Sequence, residues 1–238
     1  FSSGLDRIQR HLLEAIERPE MIIHDQLTKL YFDNNPRALF IPPFDEVESL
    51  NMDKVIASFD QLHQNFSGSY FVFVGNVDVD TMRPLLRKYL ANLPGKGHAD
   101  QIQPEYPLPK RGIRKKEIFV GKDNKASVRI IFNGAFNYTE EESLSFTLLT
   151  DILRLRLIES LREERQLIYA SGISSQLFPI AGGRYQLAFI LPCAAEQTDA
   201  VVSALFQEIQ RLQKDPPSMA ELNQVKKAWT QLHKERLQ

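Results

Sequence analysis

Leu5, Ile8, Leu12, Leu13 and Ile16 recur at helical spacing, and Pro19 opens a second helical stretch carrying Met21, Ile22, Leu27 and Leu30. The Asn- and Pro-rich residues 33–45 form a loop, after which Asn51 is placed to cap a helix through Val55, Ile56, Phe59 and Leu62. Residues 69–75 read as a buried strand with a Gly75 exit. A helix over 80–91 follows, with Met82, Leu85, Leu86, Tyr89 and Leu90 on its apolar side.

Periodicity then lapses. Residues 96–114 mix prolines with both charge signs and read as a linker. Beyond it, 115–121 and 126–134 are strand-like and separated by a turn-rich Lys-Asp-Asn-Lys. Thr139 and Glu142 have the spacing of a capping box and open a long helix with Leu144, Leu148, Leu149, Ile152, Leu155 and Leu161 on one side. Residues 168–178 and 184–192 make an antiparallel hairpin around Gly182 and Gly183, both free to take positive φ. A helix over 195–213 follows, and a second capping box, Ser218 to Glu221, opens a final helix through Leu222, Val225, Trp229 and Leu232.

This order predicts an α+β fold, an antiparallel or mixed sheet with helices packed on one face. Three regions are expected: 1–95 as the end portion of one α+β domain, 96–114 as a linker, and 115–238 as the following α+β domain. A nucleotide fold is not supported, because the loop at 75–80 holds one glycine where phosphate cradles need several.

Composition narrows the picture by exclusion. With 43% hydrophobic and 25% charged residues in 238, the chain can bury a substantial core. Lys plus Arg total 29 against 30 Asp plus Glu, so no net field recruits nucleic acid or an anionic membrane. No apolar run approaches the length of about 20 residues that spans a bilayer. A single cysteine, Cys193, forms no internal disulfide and leaves the compartment open: bacterial periplasm and cytoplasm are both compatible. Lacking an initiator Met and already amphipathic at residue 5, the chain reads as a piece of a longer protein.

Candidate chemistry is sparse. The histidines His11, His24, His63, His98 and His233 include no pair four residues apart, so no helical zinc site can form, and Ala15 stands where a partner of His11 would be needed. Cys193 follows an apolar strand and reads as a buried structural thiol. The basic run 110–116 lacks an aromatic platform for bases and reads as a solvated approach to a strand. Trp229 falls on an apolar stripe and reads as core.

Arg162 and Tyr169 are the remaining pair. Seven positions is almost two helical turns, so an unbroken helix puts both on one face, whereas a helix ending near Gln166 sets them across a corner. A guanidinium fork and a phenol suit a peptide carbonyl or an oxyanion. Spacing alone favours a plainer reading, a surface ion pair of Arg162 with Glu163 or Glu164 beside a packed tyrosine.

Residues 153–174 nevertheless resemble the insulinase/pitrilysin family of zinc peptidases. Leu157, Leu161, Arg162, Glu163, Gln166, Leu167 and Tyr169 match its L-x-x-x-L-R-E-x-x-[GQ]-L-x-Y pattern, with Ile168 where a small residue is usual. Residues 69–94 are similar to the segment closing one domain of that family, and 216–231 to its last helix. The resemblance implies a duplicated α+β architecture in which two related halves enclose a chamber for unfolded peptides. It also implies that zinc is held by a His-x-x-Glu-His motif in the N-terminal half. This chain has no such motif, so it resembles the C-terminal, non-zinc half of a bacterial pitrilysin-like metallopeptidase. The implied cofactor is zinc in the parent only, and the implied partners are peptide or unfolded polypeptide and the N-terminal half of the same protein. Arg162 and Tyr169 are then substrate-binding or oxyanion residues, with no catalytic or metal residue of zinc chemistry in the chain. The alternative is a non-catalytic relative acting as a substrate-binding or structural subunit.

Overall fold

The structure is a computed structural model that describes residues 2–99, 107–179 and 182–236. The chain divides into two units, Phe1–Val120 and Gly121–Gln238.

The first unit is helical. α1 (Ser2–Glu17) ends where Arg18, forced out of the helical region by the proline after it, takes φ −88° and ψ 121° and hands over to α2 (Pro19–Phe32). Asp33 and Asn34 then adopt left-handed conformations, and the Asp33 carboxylate gathers Lys110 and Arg114, the latter at 2.8 Å. Hydrogen bonds from Lys110 first and Arg114 second hold the Asp33 carboxyl below the usual carboxylate range. With Lys116 donating to Gln26 Oε1, the basic run is folded back onto α2. After α3 (Phe44–Glu48) come α4 (Met52–Leu62), capped by Asn51 Oδ1 accepting from Lys54 N at 2.8 Å, and α5 (Val79–Tyr89). α5 starts before the expected residue 80 because Asp78 is the cap, accepting from Thr81 N at 2.8 Å.

Two expected strands are not formed: among the described residues, neither 69–75 nor 115–121 joins a ladder. The reason is cooperative, since a strand exists through hydrogen bonds to a neighbour and an apolar run without one has no ladder to enter. Part of the expected linker is also anchored. Asn65 Oδ1 accepts from Lys96 N at 3.0 Å, and Ser67 Oγ accepts from Gly97 N at 3.0 Å. Residues 100–106 of that stretch lie outside the described residues.

The second unit carries the sheet, β1 (Lys125–Ala135), β2 (Gly172–Phe178) and β3 (Arg184–Ala194), in the order β1-β3-β2 with both pairings antiparallel. β1 and β2 are linked through α6 (Glu140–Leu157), with β3 inserted between them, a split β-α-β arrangement. The β2–β3 hairpin requires glycine: Gly183 has φ +67°, and a Cβ there would sit 2.3 Å from Phe136 O. Alternation decides the inward face, with Ala126, Val128, Ile130 and Phe132 of β1 and Leu187, Phe189, Leu191 and Cys193 of β3 packing on Leu153, Leu157, Val201 and Leu205 of the helices. The helices are therefore on one face of the sheet, as an α+β layer requires. Cys193 is fully buried, and burial pushes its thiol pKa up.

Outside the sheet, α7 (Thr198–Lys214) and α8 (Met219–Arg236) pack against α6. Trp229 is half-buried rather than core, because its indole Nε1 must reach Asp151 Oδ2 at 2.7 Å, an acceptor that keeps one side of the ring near solvent. No helix among the described residues is long and apolar enough to cross a membrane.

Candidate functional site

The corner between α6 and β2 holds both predicted site residues. α6 starts at Thr139, whose Oγ1 accepts from Glu142 N at 3.1 Å. Leu153, Leu157 and Leu161 occupy its core face at intervals of four, and at 3.6 residues per turn such a row drifts by about 40° per step. From Ile158 to Glu164 the helix widens into a π turn, which takes up that drift and keeps Leu161 fully buried. Ser160, buried on the same turn, donates its Oγ to Glu208 Oε1 of α7 at 2.9 Å.

The turn closes on Gln166, at φ +52°, while Leu167 N donates back to Leu161 O at 2.8 Å. A glutamine in the left-handed region is strained by about 1–2 kcal/mol, and a β-branched side chain fits there worse. Gln166→Val is thus expected to lower unfolding stability by about 1–2 kcal/mol relative to Gln166→Gly, a difference read by urea titration of the two variants. Ile168, large where the resembling pattern is small, is buried in the core beneath the corner.

Tyr169 N donates to Pro192 O at 2.9 Å, so the chain joins the side of β3 before β2 begins. The helix thus ends before Gln166, and of the two sequence geometries the corner is the one adopted. Arg162 lies on the π turn with its side chain 53% exposed, and Tyr169 at the mouth of β2 is 58% exposed. Arg162 Nε stands 3.7 Å from Glu163 Oε1, an exposed pair of small energetic worth. Among the described residues no hydrogen bond joins Arg162 to Tyr169. Both project donors outward from a backbone that the core and the β3 ladder hold in place.

A second cluster lies behind the corner. Glu221 completes the expected capping box, with Ser218 N donating to Oε2 at 2.7 Å and Glu221 N to Ser218 Oγ at 3.2 Å. The same carboxylate receives Arg156 Nε at 2.6 Å and Nη2 at 3.2 Å. Arg156, from the last turn of α6, holds the Glu221 carboxyl down to about 2. Sequence reasoning found the box but not its arginine, 65 positions away. It also missed the π turn, for which the four-residue leucine spacing was the available signal.

Among the described residues the donor set does not fit a metal. His11 lies 3.8 Å from Glu14 on an exposed helix face, His24 packs on Phe40 and His63 on Phe59, and the side chain of His233 lies outside the described residues. Among the described residues no three His, Cys, Asp or Glu side chains converge to hold an ion.

Comparison with known proteins gives a consistent family signal. The sequence pattern of the peptidase M16 inactive domain matches residues 49–228. No curated protein matches the chain in sequence at a significant level. Among solved structures, a mutant of the ferredoxin protease FusC in complex with Arabidopsis ferredoxin superposes with a TM-score of 0.77 at 16% identity, over 99% of this chain and 25% of that one. The periplasmic protease PqqL from Escherichia coli gives 0.74 at 17% identity, over 95% and 25%. A peptidase M16 inactive domain from Pseudomonas fluorescens gives 0.68 at 18% identity, over 97% and 56%. The chain therefore spans about a quarter of the two proteases and about half of the third structure.

Proposed function

The chain belongs to the peptidase M16 family, matching its inactive domain over residues 49–228, and from that premise we propose that it is the substrate-contacting, non-zinc portion of a metallopeptidase acting on peptides or unfolded polypeptide. The observation that carries this reading is the corner itself, where Arg162 and Tyr169 stand half-exposed on a buried, hydrogen-bonded backbone. A guanidinium and a phenol so placed can orient a substrate carbonyl or steady the negative charge that develops on it. In this reading zinc chemistry belongs to the parent, with the metal bound outside this chain; among the described residues no three His, Cys, Asp or Glu side chains could hold one. FusC, crystallised with a protein bound, supports polypeptide as the substrate class.

The partner in this reading is the N-terminal half of the same protein. In the first unit Tyr70, Val72 and Val74 are 95%, 81% and 93% exposed, along with Ile113 and Phe119. Apolar surface of this extent, most of it in segments whose sequence reads as strand, suits further polypeptide packing against it.

The test compares the full-length parent with this chain alone on casein, an unfolded polypeptide. The parent is expected to cleave it in a chelator-sensitive manner, while the isolated chain does not cleave. A second reading, a non-catalytic substrate-binding or structural subunit, is favoured by the inactive-domain match. A parent that binds casein, holds no stoichiometric zinc and leaves the substrate intact would decide for it.

A further inference from the structure

Glu208 has no part in the reading above, yet its burial is costly. It is 3% exposed on α7, on a helix face shared with Leu205, Ile209 and Leu212 of the core. A carboxylate taken out of water there costs several kcal/mol unless it is paired or hydrogen-bonded, and an apolar residue of similar size would serve packing better. One oxygen, Oε1, receives the Ser160 hydroxyl at 2.9 Å. The other, Oε2, has no hydrogen bond and lies 3.7 Å from Arg211 Nη1. What Glu208 holds is thus the π turn, at one residue.

That residue is well chosen to control Arg162. Ser160 is buried while Arg162, two positions on, is exposed, so the two lie on opposite sides of the turn and a buried anchor at Ser160 sets an outward direction at Arg162. A π turn satisfies its backbone less regularly than an α-helix, and its register against α7 needs a side-chain constraint. Leu161 resists translation by its bulk, whereas the Ser160–Glu208 bond adds a directional one.

We propose that Glu208 is a positioning residue for Arg162, its buried carboxylate holding Ser160 so that the π turn of residues 158–164 presents the guanidinium to substrate in one orientation. The inference rests on the reading of Arg162 as a substrate contact. Glu208→Leu removes the acceptor, Ser160→Ala removes the donor, and Glu208→Gln keeps a neutral acceptor of the same shape.

The experiment measures cleavage of an internally quenched unstructured peptide by the full-length parent, or affinity for that peptide if the parent is non-catalytic. Each substitution is made alone and together with Arg162→Ala, with thermal unfolding recorded for each. Glu208→Leu and Ser160→Ala are expected to lower kcat/KM, or the affinity, by about 10- to 100-fold, the scale of a misplaced substrate-positioning group. Glu208→Gln should stay within a few-fold of the parent, and the losses should disappear in the Arg162→Ala background. Equal losses with and without Arg162, or no loss from either substitution where Arg162→Ala is itself costly, overturn the positioning role. Should Glu208→Leu fail to fold, Ser160→Ala decides by the same criteria. If Arg162→Ala alone changes nothing, the substrate-contact reading fails instead, and the positioning role falls with it.

Discussion

Replacing Tyr169 by Phe in the full-length parent is expected to lower kcat/KM for unfolded peptide by about 10²–10³-fold, the cost of losing one oxyanion donor, and to leave thermal stability unchanged. The substitution deletes one hydroxyl from a ring that is 58% exposed, so the fold loses almost nothing. The backbone that places the ring, with Tyr169 N bonded to Pro192 O at 2.9 Å and Ile168 packed beneath, does not depend on that hydroxyl. Arg162→Ala should behave similarly, since its pair with Glu163 is exposed and weak. Arg162→Lys should recover only part of the loss, because an ammonium cannot reproduce the planar fork. Unchanged cleavage by Tyr169→Phe would remove the tyrosine from the chemistry and return it to the plainer role of a surface aromatic.

The second large effect falls on stability. Glu221→Gln should destabilise the protein by roughly 3 kcal/mol at pH 7, the value of a carboxyl held at about 2 instead of 4.5 at 1.36 kcal/mol per pH unit. The cause is principally Arg156, whose side chain is nearly buried and which places two of its three hydrogen bonds on this one carboxylate, the third going to Asp215 O. Removing the charge leaves that guanidinium without its counter-charge, the expensive direction for breaking a pair. The sign follows from the depressed folded-state value. The stabilisation is complete above the unfolded pKa near 4.5 and is lost as pH falls from there toward 2. Urea titrations of the two proteins should therefore differ most at neutral pH and converge as pH falls toward 2. A gap that stayed constant with pH would show that Glu221 acts through its capping bonds to Ser218 rather than through charge.

Local rules carried much of the second unit. Thr139, Ser218 and the alternation in β1 and β3 are signals that act within a few residues, and the structure uses each of them. The first unit shows where such rules stop. Residues 69–75 and 115–121 have strand composition, yet they form no ladder, because pairing is a property of two segments and neither finds a partner among the described residues. Trp229 illustrates the same limit on a smaller scale: an apolar stripe said core, and an aspartate 78 positions away drew the indole to its edge.

By itself the sequence determined the α+β character of the second unit, its caps and its hairpin glycines. Those features depend on periodicity and backbone preference, which nearest neighbours decide. Only the tertiary structure decided that the helix widens before Arg162, that Gln166 turns left-handed, and that Tyr169 is set by β3. It likewise brought Ser160 to Glu208 and Arg156 to Glu221, pairs 48 and 65 residues apart. Such contacts arise because burying the leucine row of α6 against β3 and α7 fixes where every neighbouring polar group must find its partner, and that requirement is written in no single segment.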